Sequence, residues 1–192
     1  MTAAHWLGTC FERTNVEGRW TPRRLRCLVV GESPGAPGSS CFYDPIPFSG
    51  DPVKVRSLLL QGLRHENIID VSSLEAFKEA GFLFDHAIRE QLDMAQVQVE
   101  RDRAKKFTSK FAESATHLPP LIEKAESVWA MGDIARNAML CFFPSIPREH
   151  RPLTPPYRLS EKIFTSRYFT RFTNQELVNE IVGRVSRFIP RS

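Results

Sequence analysis

Four short apolar segments constrain the fold of this 192-residue chain more than any other feature. Each is rich in β-branched or aromatic residues and is followed by a glycine or a polar loop, a pattern typical of buried strands. They lie at 25–30, 82–88, 127–132 and 162–166. Because helix-prone stretches separate them, the sequence predicts parallel strands joined by helical crossovers. We therefore expect an α/β fold, a three-layer α/β/α sandwich with a central, mostly parallel four-stranded sheet.

Helix-start signals lie between these segments. An Asp-Pro pair at 51–52, Ser72, Asp133 and Thr173 are suited to capping the first turn of a helix. The stretch 92–112 is polar, helix-prone and carries charges of both signs. Mixed charges indicate a solvated surface helix rather than a dedicated phosphate-binding stripe.

Length and composition predict one globular domain. The chain is 42% hydrophobic, has no apolar run near the ~18 residues of a membrane-spanning helix, and lacks the pattern of a secretory signal at residues 1–11. We expect residues 25–192 to form a single domain and residues 1–24 to form a basic N-terminal arm packed on it. Trp6 and Trp20 could anchor this arm to the core, or its arginines could touch phosphates.

Polar residues follow the predicted strand ends. Glu32 and Ser33 come after the first strand, Asp85 interrupts the second, and Tyr168 and Arg171 come after the fourth. Ligands bind parallel sheets outside the carboxyl ends of the strands, so these side chains are expected to meet in one pocket. Acids, aromatic rings and basic loops in one pocket are suited to holding a planar heterocycle near phosphate.

The loop after the first strand carries most of the candidate site. It contains Gly31-Glu32-Ser33-Pro34-Gly35, then the aromatic and acidic cluster Cys41-Phe42-Tyr43-Asp44, then Pro47-Phe48-Ser49-Gly50. The dinucleotide fingerprint G-x-G-x-x-G and the Walker lysine are both absent from this loop. A rigid turn that brings an acid and aromatic rings to one place is typical of a base pocket. An ordinary strand exit with a Pro/Gly loop would have the same pattern.

These residues resemble the first motif of the uracil-DNA glycosylase superfamily. Its iron–sulfur branch has G-E-A-P-G followed by P-F-x-G, and its single-strand-selective branch has G-M-N-P-G followed by P-F-G. Later stretches of this chain follow in the order in which the superfamily places its own motifs, so the resemblance covers most of residues 25–190. It implies the same α/β architecture, and it implies a divergent enzyme that hydrolyses the N-glycosidic bond of a flipped, damaged base in DNA.

The resemblance also implies roles for individual residues. Glu32 is the first candidate for a catalytic carboxylate that orients water or stabilises an oxocarbenium-like centre, because the iron–sulfur branch has glutamate at this position. Asp44 is the second candidate. The extruded base would stack on Phe42 or Phe48, with Ser33 and Asp85 as further base-binding residues.

The motif positions of this chain depart from the best-known branches of the superfamily. Asp85 stands where an asparagine reads the flipped uracil, and a carboxylate accepts from an amine or a ring N–H but donates to a carbonyl only when protonated. Pairing of Asp85 with an arginine is the alternative. Ser33 stands where other branches have Asp or Asn.

The segment after the fourth strand also departs from the superfamily. Tyr168-Phe169-Thr170-Arg171 stands where H-P-S-R would, so the histidine that stabilises the departing base is missing. Tyr168 can still donate a hydrogen bond. Phe169 or Arg171 could insert into the duplex as a wedge, and aromatic rings beside arginines suit DNA contact. A hydrophobic strand edge with two solvated arginines is the alternative.

Three functions remain open at this stage. The first is a divergent glycosylase, and the second is a non-catalytic nucleic-acid-binding protein on the same fold. The third is an α/β enzyme that acts on a small nucleoside or nucleobase. DNA, single- or double-stranded, is the expected partner in the first two, and the net charge of +4 permits it without demanding it.

The cysteine spacing predicts no cofactor. Cys10, Cys27, Cys41 and Cys141 form no C-x-x-C pair, and the iron–sulfur branch needs clustered cysteine ligands. We expect no iron–sulfur cluster, no other metal and no membrane contact. Unpaired core thiols indicate a reducing compartment, so a soluble protein of the cytoplasm, the nucleoid or the nucleus is expected.

Overall fold

A computed structural model describes residues 16–36, 40–44, 54–105, 116–143, 157–169 and 173–190. This part of the chain contains one sheet with the strand order β2-β1-β3-β5-β4. Its strands are β1 (Cys27–Gly31), β2 (Phe82–His86), β3 (Ser127–Met131), β4 (Tyr157–Arg158) and β5 (Ile163–Ser166). Strand β1 pairs in parallel with β2 and β3, and β3 pairs in parallel with β5.

The predicted α/β class and its four parallel strands are therefore confirmed. The short strand β4 is an addition, because it lies in the proline-rich stretch 142–160 that the sequence predicts to be irregular. It pairs antiparallel with β5, with Tyr157 opposite Thr165, at the edge of the sheet. The stacking of the helices into three layers stays a prediction.

Six α-helices lie in the described ranges. They are α1 (Lys54–His65), α2 (Leu74–Glu79), α3 (Met94–Lys105), α4 (Leu118–Lys124), α5 (Gly132–Phe142) and α6 (Gln175–Val185). A π-helical turn at Val16–Trp20 precedes β1, and a 3₁₀ turn at Ser186–Phe188 follows α6. Helix α1 packs against α6, α2 against β2, and α5 against β1, β3, β5 and α3.

Three predicted helix starts are wrong by one or two residues. The cap of α2 is Ser73, whose hydroxyl oxygen accepts from the Ala76 N–H at 3.1 Å, while the Ser72 hydroxyl donates to a carbonyl of α1. The cap of α6 is Asn174 rather than Thr173, because the side-chain oxygen Oδ1 of Asn174 accepts from the Leu177 N–H at 2.9 Å. Helix α5 begins at the glycine before Asp133, and the Asp51-Pro52 signal lies outside the described residues.

The parallel strands are buried on both faces, as continuous apolar segments predict. Every residue of β1, β3 and β5 is buried, and Trp129 at the centre of β3 donates its indole N–H to the Ser166 hydroxyl at 2.8 Å. Trp20 is buried and stacks on Tyr43 with 5.5 Å between ring centroids. The described end of the N-terminal segment therefore packs on the core through this tryptophan.

Cys27 and Cys141 form no disulfide, whereas Cys41 is disulfide-bonded. A disulfide is more typical of an oxidising environment, so the reducing compartment stays a prediction. Within the described ranges, no helix has the length and apolar character needed to cross a membrane. No group of three or more His, Cys, Asp or Glu side chains in these ranges is arranged to hold a metal ion.

Candidate functional site

A cavity of about 220 Å³ lies at the carboxyl ends of β1 and β2. Its walls come from the loop 32–35, Phe42, the end of β2, one face of α3, and Tyr168 beyond β5. In the order β2-β1-β3, the strands β2 and β3 lie on opposite sides of β1. The connection from β1 to β2 therefore runs to one side of β1, and the connection from β2 to β3 crosses to the other side. Such a switch point leaves a crevice outside the strand ends, which is where open parallel sheets bind ligands.

Gly31, the last residue of β1, makes room for this cavity. It pairs with His86 across the sheet. A Cβ atom at position 31 would lie 2.8 Å from Cζ of Phe84 and 3.3 Å from Cδ2 of His86. Because contacts this short would displace the rings, the first glycine of the motif allows two side chains of β2 to line the cavity.

Glu32 places a carboxylate in the cavity wall. The residue is only 3% exposed, and its Oε2 accepts from Nε and Nη2 of Arg101 at 3.0 and 2.6 Å. Its Oε1 lies 3.5 Å from the Ile134 N–H in the first turn of α5, where the helix dipole favours negative charge. The chain has folded a carboxylate between a guanidinium and a helix N-terminus, and both stabilise its ionised form.

Gly132 allows this approach of Glu32 to α5. Its φ is +91°, and a Cβ atom there would lie 2.6 Å from Oε1 of Glu32. A side chain would be strained by the backbone conformation and would collide with the carboxylate. The glycine that follows β3 thus contributes to the site because it has no side chain.

One face of α3 forms a wall of the cavity. Met94, Val97 and Arg101 line it at the i, i+3, i+7 spacing of a single helix face. The hydrogen bond to Glu32 raises the pKa of Arg101, so this side chain is a permanent cation. The sequence predicts a solvated helix here, and the apolar-apolar-cation spacing is the signal that could have indicated a helix facing the site.

Aromatic rings form the floor of the cavity. Phe42 stacks on Phe84 with 4.1 Å between centroids and an interplanar angle of 4°. The Tyr43 hydroxyl accepts from the Phe84 N–H at 2.6 Å, which ties this cluster to β2. Phe42 therefore lines the cavity, and the stacking of a base on it stays a prediction; Phe48 falls outside the described residues.

Two neutral polar side chains face the cavity. Burial, followed by the charges of His117 and Arg89, lowers the pKa of His86 to about 3. Burial, followed by the negative charge of Glu32, raises the pKa of Tyr168. Within the described part of the chain, neither the ring nitrogens of His86 nor the hydroxyl of Tyr168 makes a hydrogen bond, although both residues line the cavity. These groups are available to a ligand.

Asp85 lies on the opposite face of β2 from His86. It is 1% exposed, and its carboxylate accepts from Arg89 Nη2 at 2.8 Å and from the His86 backbone N–H at 2.8 Å. Nε2 of His117 lies 3.6 Å from Oδ2 of Asp85. Because neighbouring residues of a strand point to opposite faces, Asp85 forms the arginine pair that was the alternative prediction, while His86 reaches the cavity. The sequence does not reveal which face of β2 borders the site.

Asp44 stabilises a turn instead of lining the cavity. Its Oδ2 accepts from the Cys41 N–H at 2.7 Å, and Arg56 donates to the carbonyl oxygens of Asp44 and Phe42 at 2.5 and 3.0 Å. These bonds fix the loop that carries Phe42. Of the two predicted catalytic carboxylates, Glu32 is therefore the one in the described cavity wall.

The remaining predicted residues fall into separate places. Ser33 lines the cavity beside Glu32. Phe169 is 1% exposed and packs edge-on against Trp129 with 6.2 Å between centroids. A wedge must be at the surface to enter a duplex, so that role would require Phe169 to leave the core. Arg171 lies outside the described residues.

The chain matches no protein-family model and no curated protein. The resemblance to uracil-DNA glycosylases therefore depends on the motif residues quoted above and stays a prediction.

Proposed function

We propose that the protein is a divergent enzyme of the uracil-DNA glycosylase type that hydrolyses the N-glycosidic bond of a flipped base in DNA. The observation that carries this proposal is the buried Glu32 carboxylate, which shares a small cavity with a stacked aromatic floor and two neutral polar groups. A carboxylate alone is common in proteins. A carboxylate beside a platform for a planar ring is suited to cleavage next to a heterocycle.

The size of the cavity supports a single base as the ligand. Its volume of about 220 Å³ is below the ~300–1,000 Å³ that is usual for drug-sized ligands. Most of its wall surface is apolar, and the polar and charged side chains that line it are Glu32, Ser33, Ser40, His86, Arg101 and Tyr168. Such a wall fits a planar heterocycle held by its faces and read at its edge. In a polymer substrate, the base would have to leave the stack, at a cost of about a few kcal/mol.

The residues of the cavity have separate roles in the proposed reaction. The bond from the base nitrogen to C1′ of the sugar breaks, its electron pair goes to the base, and positive charge develops on the sugar. Glu32 stabilises that positive charge electrostatically. A water oxygen then bonds to C1′ and releases one proton, and the base takes up one proton.

Two neutral groups are suited to stabilising the departing base. The Tyr168 hydroxyl is a donor at neutral pH, and its raised pKa keeps it protonated at higher pH as well; neutral His86 has one N–H donor. Both donate to negative charge without carrying a charge themselves. His86, rather than Asp85, is therefore our candidate for the base-reading residue at the end of β2.

A second candidate function is hydrolysis of small nucleosides. The burial of Phe169 favours it, because the described surface then lacks the aromatic wedge that the resemblance implies. Such an enzyme would use the same cavity and the same Glu32 without needing to open a duplex.

A substrate panel separates the two candidates. Oligonucleotides with uracil, hypoxanthine, xanthine or mismatched thymine, single- and double-stranded, are compared with the free nucleosides of the same bases, and the released base is measured by chromatography. Release from an oligonucleotide supports the glycosylase, and release from nucleosides alone supports the second candidate. If no base is released from either set, both are contradicted. Glu75→Gln, at an exposed position on α2, is the control variant and is expected to match the wild type.

A further inference from the structure

Arg101 forms a two-donor ion pair with Glu32 that differs from an ordinary surface ion pair. It lies on α3, 69 positions from Glu32 in the sequence, and places both Nε and Nη2 on the same carboxylate oxygen. Its own side chain is 25% exposed and that of Glu32 is 4% exposed, so the pair lies mostly in the protein interior. The guanidinium therefore fixes Oε2, while Gly132 and the first turn of α5 confine Oε1.

The neighbouring Arg103 forms a different kind of ion pair. Two positions further along α3, it pairs with Glu100 of the same helix and is 41% exposed. That pair is of the local i,i+3 kind, which contributes little to stability. Arg101 instead joins a helix to the carboxyl end of β1.

We infer that Arg101 is a positioning residue that holds the Glu32 carboxylate in one orientation in the cavity. This inference builds on the proposed function, since it assigns Arg101 to the same reaction. Without Arg101, Oε2 of Glu32 would lose both of its guanidinium donors. The carboxylate could then turn away from the place where the sugar develops positive charge.

Four titratable groups lie on the elements around Glu32. They are Arg101 from α3, Asp133 from α5, Tyr168 beyond β5 and His86 at the end of β2. Of these, Arg101 is the one that hydrogen-bonds the carboxylate in the described structure. Tyr168 and His86 are neutral, so removal of Arg101 takes away the cation that contacts Glu32.

The test compares Arg101→Met with Arg103→Met in two measurements. The first follows the Glu32 side-chain carboxyl carbon by ¹³C NMR at one neutral pH, which needs no substrate. We expect its signal to shift and broaden in Arg101→Met, because the carboxylate loses both donors and samples more than one orientation, and to match the wild type in Arg103→Met. An unchanged signal in Arg101→Met would overturn the inference, whatever its activity.

The second measurement is the steady-state rate on the best substrate. In Arg101→Met, kcat is expected to fall about tenfold or more with KM changed less than about threefold, because a misplaced carboxylate stabilises the transition state less. A kcat equal to that of the wild type, or an equal loss in Arg103→Met, would overturn the inference. If the NMR signal changes but the wild-type protein cleaves no base, the positioning of Glu32 is supported and the proposed function fails.

Arg101→Lys keeps the inference testable if Arg101→Met does not fold. Lysine retains the charge but lacks the fork, so we expect a change of the Glu32 NMR signal and a loss of kcat of about threefold to fivefold. A lysine variant identical to the wild type in both the NMR signal and kcat would show that the two-donor fork has no positioning role.

Discussion

The two ends of the parallel strands, which we call the amino edge and the carboxyl edge of the sheet, border very different pockets. At the amino ends of β1 and β2 lies a groove of about 840 Å³, larger than the cavity at the carboxyl ends and lined by Arg23, Arg24, Arg26 and Lys78. Three of these cations are paired within the protein. Arg26 donates to the carbonyl oxygens of Ala80 and Pro190, Lys78 donates to that of Arg19, and Arg24 pairs with Glu126.

This difference shows which features distinguish a ligand-binding cavity from a charged groove. The amino-edge groove is larger, but in it Arg26 and Lys78 donate to backbone carbonyls and Arg24 pairs with Glu126. The carboxyl-edge cavity is smaller, and its His86 and Tyr168 have polar atoms with no hydrogen bond in the described chain. An unpaired polar atom alone does not distinguish the two, because Nε of Arg26 also lacks a partner in the described chain. What distinguishes the cavity is that its unpaired groups lie beside a buried carboxylate and stacked aromatic rings. The comparison predicts that changes at the carboxyl edge alter activity and that changes at the amino edge alter stability.

Among the changes that compare the two edges, Gly31→Ala is expected to have the largest effect. The added Cβ would lie 2.8 Å from Phe84 Cζ, so the ring, which lines the cavity, must move. We expect kcat/KM to fall about 100-fold, because small displacements of a binding surface have effects of this size, and the free energy of unfolding to fall by about 1–3 kcal/mol.

The matched control for this change is Gly62→Ala. Its Cβ would also lie 2.8 Å from a side-chain atom, Cγ2 of Val182, but between α1 and α6. A similar crowding, offset by about 1 kcal/mol of helix propensity, should leave kcat/KM unchanged. Equal losses of activity in both variants would break the distinction between the two edges.

Arg26→Met tests the amino edge. Losing the guanidinium bonds to Ala80 and Pro190 is expected to lower the free energy of unfolding by about 2 kcal/mol, measured by urea denaturation, with kcat/KM unchanged. Arg187→Met, an exposed arginine on the 3₁₀ turn, is the control for the loss of charge and should change neither quantity. A loss of activity in Arg26→Met beyond its loss of folded protein would make the groove part of the functional surface.

His86→Asn sharpens the comparison through pH. The folded pKa of His86 is about 3, below its ordinary value of 6.5. The unfolded chain therefore binds a proton at this position between these values while the folded chain does not, and stability falls as pH is lowered through this window. The wild type should lose about 1–2 kcal/mol more than His86→Asn between about pH 7 and pH 5.

Urea denaturation at the two pH values measures this difference. His65→Asn, with a side chain that is 59% exposed, is the control and should lose as much stability as the wild type. If His86→Asn and the wild type lose equal stability, His86 is charged or solvated in the folded protein, and its place as a neutral reader of the base is lost.

Tyr168→Phe should have the smallest effect. It removes one neutral hydrogen-bond donor, a change of about 1 kcal/mol, so kcat is expected to fall about five- to tenfold with little change in stability. Because the pKa of Tyr168 is raised, the wild-type rate should show no loss from tyrosine ionisation up to about pH 10. An unchanged kcat would remove Tyr168 from the reaction.

Local patterns predicted the sheet and the first part of the site. The four parallel strands are continuous apolar segments, and Glu32 follows the first of them directly, so its place at the carboxyl edge needs only the strand and the rule of parallel sheets. Helix starts at Ser72 and Thr173 were wrong by one residue because neighbouring Ser and Asn side chains compete for the same N–H groups.

The partners of Glu32 and the face of β2 could not be predicted in this way. Arg101 is 69 positions away, and nothing local shows that α3 turns that side toward β1. Asp85 and His86 are adjacent, so exchanging the two faces of the strand exchanges their roles. That choice depends on where Phe84 and Gly31 pack, which is a property of the assembled fold.

The most direct test of the account compares Glu32→Gln with the wild type under single-turnover conditions, with affinity for the same substrate measured alongside. Glutamine keeps the shape of the side chain but not its negative charge. We predict that the cleavage rate falls at least about 100-fold while affinity changes less than about threefold. A Glu32→Gln variant that cleaves at the wild-type rate would contradict the account, because the cavity would then work without the carboxylate around which it is built.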